Sequence, residues 1–196
     1  MKITLFGGTF DPPHLGHSAI ATALLEQKLA DQVWFLPVGE HAFEKQFLPK
    51  KHRLALLELV REKRQKIERY ELFNSGKSIT YTTMSALAAL YGEHTFSFVI
   101  GSDNLVRFHE WQQYKDLLAQ FTVFVYPREG YPLTPIYPGM QILQGVVPVN
   151  ISSSQVRAAV AANKPLHQLV KPAVAEYIER NKLYRAEHKG EHATHI

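Results

Sequence analysis

Four mostly apolar runs dominate the sequence: KITLF from Lys2, VWFLPV from Val33, FSFVIG from Phe96 and TVFVYP from Thr122. None of them alternates apolar with polar residues. Runs of this kind suit strands covered on both faces, as in a parallel sheet sandwiched between helices. The segments between them carry helical spacing. One helix is expected over Pro13–Ala30, with Leu15, Ile20, Leu24, Leu25 and Leu29 near that spacing. A second is expected over Lys50–Lys63, with Leu54, Leu57, Leu59 and Val60 apolar, and a third over Ser78–Tyr91. Another should lie between the third and fourth runs, and two more over Ser153–Ala162 and Lys171–Lys182. Ile67–Phe73 and Gln141–Val149 read as extended. Alternation throughout predicts an α/β fold, a doubly wound parallel sheet with a helical C-terminal end. No repeat or linker divides it, so one domain is expected over residues 1–185, followed by a polar, mobile tail over 186–196.

Hydrophobic residues make up 45% of 196, enough for a substantial core. Lys and Arg number 22 against 18 acidic residues, a balance that suits a small phosphorylated substrate but provides no basic stripe for nucleic acid. There is no cysteine, which excludes disulfides, thiol catalysis and Cys-based zinc sites. No apolar run approaches the roughly 18 residues of a membrane span, and no secretory leader is recognisable, so a cytoplasmic location is expected.

In such sheets ligands bind beyond the carboxyl ends of the strands. The first run ends in GGTFDPPHLGH, Gly7–His17. Gly7 and Gly8 lack Cβ atoms, so a phosphate can approach the backbone of a turn there. Pro12 and Pro13 suit the entry to a helix, which should begin near Pro13 and present free N–H groups to an anion. His14 and His17, three apart, share one face of that first turn. A pair at this spacing can also ligate zinc, but no third ligand accompanies it.

Near the other end stands NISSSQVRAAVAANKPL, Asn150–Leu166. Ser152 and Gln155 fit a capping box, and Pro165 blocks continuation of the helix. Three serines with Arg157 one turn later put hydroxyls, free amides and a guanidinium at a second helix start, a set able to hold polyphosphate.

These two stretches resemble the signatures of the nicotinate/nicotinamide mononucleotide adenylyltransferases, members of the HxGH nucleotidyltransferase superfamily. GGTFDPPHLGH looks like the T/HxGH motif, and ISSSQVR looks like ISSS/T-x-(I/V)-R. The resemblance implies a Rossmann-like nucleotidyltransferase fold. It gives ATP binding to Gly7, Gly8, Thr9, Phe10, His14, His17, Ser152, Ser153 and Arg157, with His14, His17 and Arg157 also catalytic.

It assigns mononucleotide contacts as well. Asp103 follows a strand end and can accept ribose hydroxyls, attract Mg²⁺ or cap a helix. Trp111 matches a tryptophan that stacks on the pyridine ring, and it equally suits a core position. Thr80 and Tyr81 would present a helix start to the pyridine substituent, or serve as a simple helix opening. The stretch Pro37–Arg53 lacks the PPHK-like run usual in bacterial nicotinate enzymes and looks more like the nicotinamide enzymes. Lys45, and with it His41, is a phosphate ligand or part of a solvated loop; the resemblance makes Lys45 catalytic.

The expected activity is transfer of AMP from ATP, with Mg²⁺, to nicotinate or nicotinamide mononucleotide, releasing pyrophosphate. The expected partners are these small molecules, without nucleic acid or membrane; a homo-oligomer is allowed. Two alternatives stand beside it: another HxGH enzyme, such as one acting on phosphopantetheine, and a non-catalytic nucleotide- or RNA-binding module.

Overall fold

The computed structural model describes residues 1–39, 47–74, 78–146 and 150–185. Six strands form one parallel sheet: β1 (Lys2–Gly8), β2 (Gln32–Pro37), β3 (Gln65–Ile67), β4 (Thr95–Gly101), β5 (Thr122–Tyr126) and β6 (Met140–Ile142). Their order is β3-β2-β1-β4-β5-β6. The chain works outward from β1 in one direction and from β4 in the other, so the switch point lies between these two central strands.

Successive residues of each strand face opposite sides. Phe6, Val33, Phe35, Val99 and Phe124 enter one core, together with residues of α1 (Leu15–Glu26), α2 (Lys50–Val60), α6 (Ser153–Ala161) and α7 (Pro172–Arg180). Ile3, Leu5, Trp34, Leu36, Phe98 and Val123 enter the other. That face is covered by α4 (Thr80–Leu90), a 3-10 helix over Ser102–Glu110 and α5 (Tyr114–Gln120). Two buried faces explain why the strands are solidly apolar. Each apolar run became a strand.

Several boundaries differ from expectation, each for a local reason. Gly7 and Gly8 form no turn: they stay in β1, in register with Leu36 and Pro37. The turn comes later, where Phe10 takes a left-handed conformation (φ 50°) before a cis Asp11–Pro12 bond. The first helix starts at Leu15 rather than near Pro13, because His14 is extended (φ −135°, ψ 171°) and serves as N-cap. It ends early because Lys28 is left-handed (φ 56°), which lets Leu29 and Ala30 donate back to the Leu24 carbonyl. Ile67–Phe73 is not one extended segment. The Glu68 carboxylate accepts from the amides of Arg69 and Tyr70, which starts the helical turn α3 (Tyr70–Phe73). The last strand stops at Ile142, before a turn at Gln144–Gly145.

The face buried by α2 is also shifted. It carries Arg53, Leu56, Leu57 and Val60, whereas Leu59 is exposed. These four positions follow the i, i+3, i+4, i+7 rule of a core stripe, with an arginine in the first place.

Candidate active site

The segment Thr9–His14 leaves β1 at the switch point. Its carbonyls are held from several directions. Arg53 donates from Nη1 to the Thr9 carbonyl (3.1 Å), and Arg157 donates from Nη1 to the Asp11 carbonyl (2.7 Å). Ser153 donates its hydroxyl to the Pro12 carbonyl (2.9 Å). The two sequence signatures therefore meet in space. Ser152 caps α6, accepting from the Gln155 amide while Gln155 returns a bond to the Ser152 amide. Arg157 also donates to Ser154 Oγ.

His14 and His17 lie with ring centroids 3.7 Å apart. The His14 backbone amide donates to His17 Nδ1 (3.1 Å). In the neutral ring that leaves the proton on Nε2, which makes Nε2 a donor. Phe6 and Phe10 wall the His17 ring at 5.5 and 5.0 Å. Burial and the nearby Arg128 guanidinium push the His14 pKa down to about 3. Burial, His14 and Arg128 together depress His17 as well. Both imidazoles are therefore neutral donors near pH 7. The Phe10 ring itself is buried against Phe6 and Phe35, so it backs His17 rather than facing a ligand.

Beside this loop opens a cavity of about 510 Å³, between β1, β4 and the start of α4. Gly7, Gly8, Thr80 and Trp111 all line it, with Leu36, Phe98 and Ile100 below. A Cβ on Gly7 would sit 2.9 Å from the Phe98 ring, so glycine is required for packing as well as for access. Trp111 has both a packed and an open side. It is half-buried against Phe108 (centroids 5.0 Å apart) and presents a surface to the cavity. Tyr81 is not among the lining residues; its hydroxyl accepts from Gln120 Nε2. Asp103 neither caps a helix through its side chain nor stands open: Arg128 Nη1 donates to its Oδ2 at 2.9 Å. Lys45 and His41 lie outside the described residues.

Three participants were missed in the sequence. Arg128 follows β5, and no motif singles it out. Arg53 is 1% exposed; its signal was the helical stripe it shares with Leu56, Leu57 and Val60. Glu71 lines the cavity, accepts from the Thr83 hydroxyl and has a buried second oxygen without a hydrogen-bond partner. Burial raises its pKa. No sequence pattern marks it.

Among the described residues no group of three or more His, Asp or Glu gathers into a metal cage, and no helix is long and apolar enough to cross a membrane. The fold is shared with solved structures of low identity. A Plasmodium falciparum nicotinic acid mononucleotide adenylyltransferase complexed with NaAD superposes with a TM-score of 0.79 at 17% identity, covering 93% of this chain and 97% of that one. Sequence relatives are closer. A probable nicotinate-nucleotide adenylyltransferase of Shouchella clausii is 37% identical over 93% of this chain and 96% of its own length. The nicotinate-nucleotide adenylyltransferase of Bacillus subtilis is 31% identical over 94% and 99%. The cytidylyltransferase-like family model matches residues 5–159, a span that takes in both signatures. With the histidine loop and the serine–arginine helix joined at one switch point, the chain belongs to the cytidylyltransferase-like nucleotidyltransferases and, among them, to the nicotinate-nucleotide adenylyltransferase family.

Proposed function

We propose that this protein transfers AMP from MgATP to nicotinate mononucleotide, forming the deamido dinucleotide and pyrophosphate. The observation that carries it is the junction of the two signatures through Arg157 and Ser153, in a loop that continues from the Gly7–Gly8 wall of a cavity sized for a nucleotide base or pyridine. A phosphate oxygen of the mononucleotide attacks the α-phosphorus of ATP. The new P–O bond forms as the bond to the β-phosphate oxygen breaks, and the electron pair leaves with pyrophosphate. The attacking phosphate is already anionic, so no strong base is needed. Catalysis then rests on alignment and on donors that meet the developing charge.

His17 Nε2–H is such a donor, and the neutral His14 beside it can be another. The start of α6 suits the outer phosphates. Mg²⁺ enters as part of the ATP substrate and neutralises phosphate charge. Trp111 offers a flat surface to the pyridine ring, and Thr80, at the start of α4, suits its substituent. Small-molecule partners, without nucleic acid or membrane, and a cytoplasmic location belong to the same proposal, with a homo-oligomer allowed.

Nicotinamide mononucleotide is the second reading. Its support is the cavity lining, which among the described residues includes Glu71 and Glu110 and no lysine or arginine; Lys45 lies outside them. Burial raises the Glu71 pKa, which weakens the charge that would repel the carboxylate of nicotinate. Pyrophosphate release from MgATP should run at least tenfold faster with nicotinate than with nicotinamide mononucleotide. Equal rates, or a preference for the amide, would reject the first reading.

A further inference from the structure

Directly beneath the histidine loop lies a buried ionic group that the proposed chemistry does not use. Asp11 is 4% exposed, three residues before His14. Tyr184, from the segment that follows α7, donates its hydroxyl to Asp11 Oδ1 at 2.8 Å. Arg53, on α2, donates to the Thr9 and Leu48 carbonyls; burial lowers its pKa, and the Asp11 carboxylate acts against that shift. Burial and the carboxylate both raise the Tyr184 pKa, so its hydroxyl keeps the proton it donates. The three residues come from three distant parts of the chain, and only Asp11 belongs to a signature.

A carboxylate is an awkward neighbour for a triphosphate, because like charges at close range repel strongly in a partly dry site. The arrangement deals with this in two ways. The carboxylate is drawn inward by a hydroxyl, and a buried guanidinium offsets its charge. Meanwhile the carbonyls of Thr9, Asp11 and Pro12 are taken by Arg53, Arg157 and Ser153, so three further lone-pair surfaces are withdrawn from an approaching anion.

We propose that Tyr184 and Arg53 are positioning residues for ATP: they hold the Asp11 carboxylate away from the phosphate site and so set the affinity of the loop for polyphosphate. The proposal rests on the adenylyl-transfer reading. Its effect is confined to the phosphate side, because the mononucleotide ring belongs to the cavity beside Trp111.

Tyr184→Phe in the full chain removes one hydroxyl and keeps the ring. Calorimetry with MgATP should show binding weakened about tenfold, on the scale of one lost hydrogen bond to a charged group. The KM for the mononucleotide should stay within about twofold. Tyr184→Phe combined with Asp11→Asn should recover most of the lost ATP affinity, since the amide that replaces the carboxylate carries no charge to repel. Unchanged ATP binding in Tyr184→Phe overturns the proposal. So does a parallel loss of ATP and mononucleotide binding with a lowered melting midpoint, which would mark a purely structural contact. A double variant no better than Tyr184→Phe overturns the charge argument. Wild-type protein that binds no MgATP rejects the functional reading itself, and this proposal with it.

Discussion

Two loops leave the sheet side by side at the switch point, and they are held in opposite ways. The loop after β1 is gripped by its backbone: Arg53, Arg157 and Ser153 take its carbonyls, while the rings of His14 and His17 lie against each other at its end. The loop after β4 is gripped by its side chains. Ser102 donates to the Tyr131 carbonyl and accepts from the Arg128 amide, and Asp103 pairs with the Arg128 guanidinium. Polar residues just past a strand end thus mean different things in the two places. In the first loop the outside partners bind mainly carbonyls, with Asp11 tied to Tyr184 through its side chain; in the second, Ser102 and Asp103 are both held through their side chains.

The contrast can be broken most forcefully at His17. Replacing it with alanine removes a donor that the fold has aimed and dried, and turnover should fall by about 10²–10³, as for loss of one oxyanion donor. Pyrophosphate release measures it; full activity would show that the first loop's side chains are not reserved for the reaction.

Gly101→Ala attacks the second loop through packing. A Cβ there would lie 2.3 Å from Asp103 Oδ1 and 2.7 Å from Arg128 Cδ, so the ion pair must move. Overpacking of this kind costs about 1–3 kcal/mol, readable as a lower urea midpoint. An unaltered midpoint would mean that the Asp103–Arg128 pair is not what fixes this loop.

A subtler probe is pH. In the unfolded chain His14 takes a proton below pH 6.5; in the folded chain it resists until about pH 3. The unfolded state therefore binds more protons in that window, and stability falls as pH falls through it. Between pH 7 and pH 5 the loss should be about 2 kcal/mol, at ~1.4 kcal/mol per pH unit below 6.5. Urea titrations of wild type and His14→Gln at both pH values measure it. Equal acid sensitivity in the two proteins would show that His14 is not the source.

The sheet was legible because burial on both faces leaves its mark on every residue of a strand. The Ser152–Gln155 capping box was legible for a similar reason, since all its partners lie within four residues. Long-range partnership has no such local trace. Arg157 and Asp11 are 146 residues apart, and nothing near either one announces the other. Asp103 was visible as a carboxylate, but its occupation by Arg128 was not. Arg53 falls between these cases. Its place on an apolar stripe was written in the sequence, but a lone arginine among leucines is easily taken for the stripe's edge.

The long reach of these contacts bears on how the protein is made. On a ribosome the histidine loop emerges well before the residues that complete it. Leu15 waits for the carbonyl of Leu169, Asp11 for Arg157 and then for Tyr184, 173 residues later. Closing such intervals is slow compared with forming local helices. A nascent chain can therefore assemble β1 and β2 while its phosphate site is still unformed, so competence for ATP should appear only after Tyr184 has emerged, long after the loop itself.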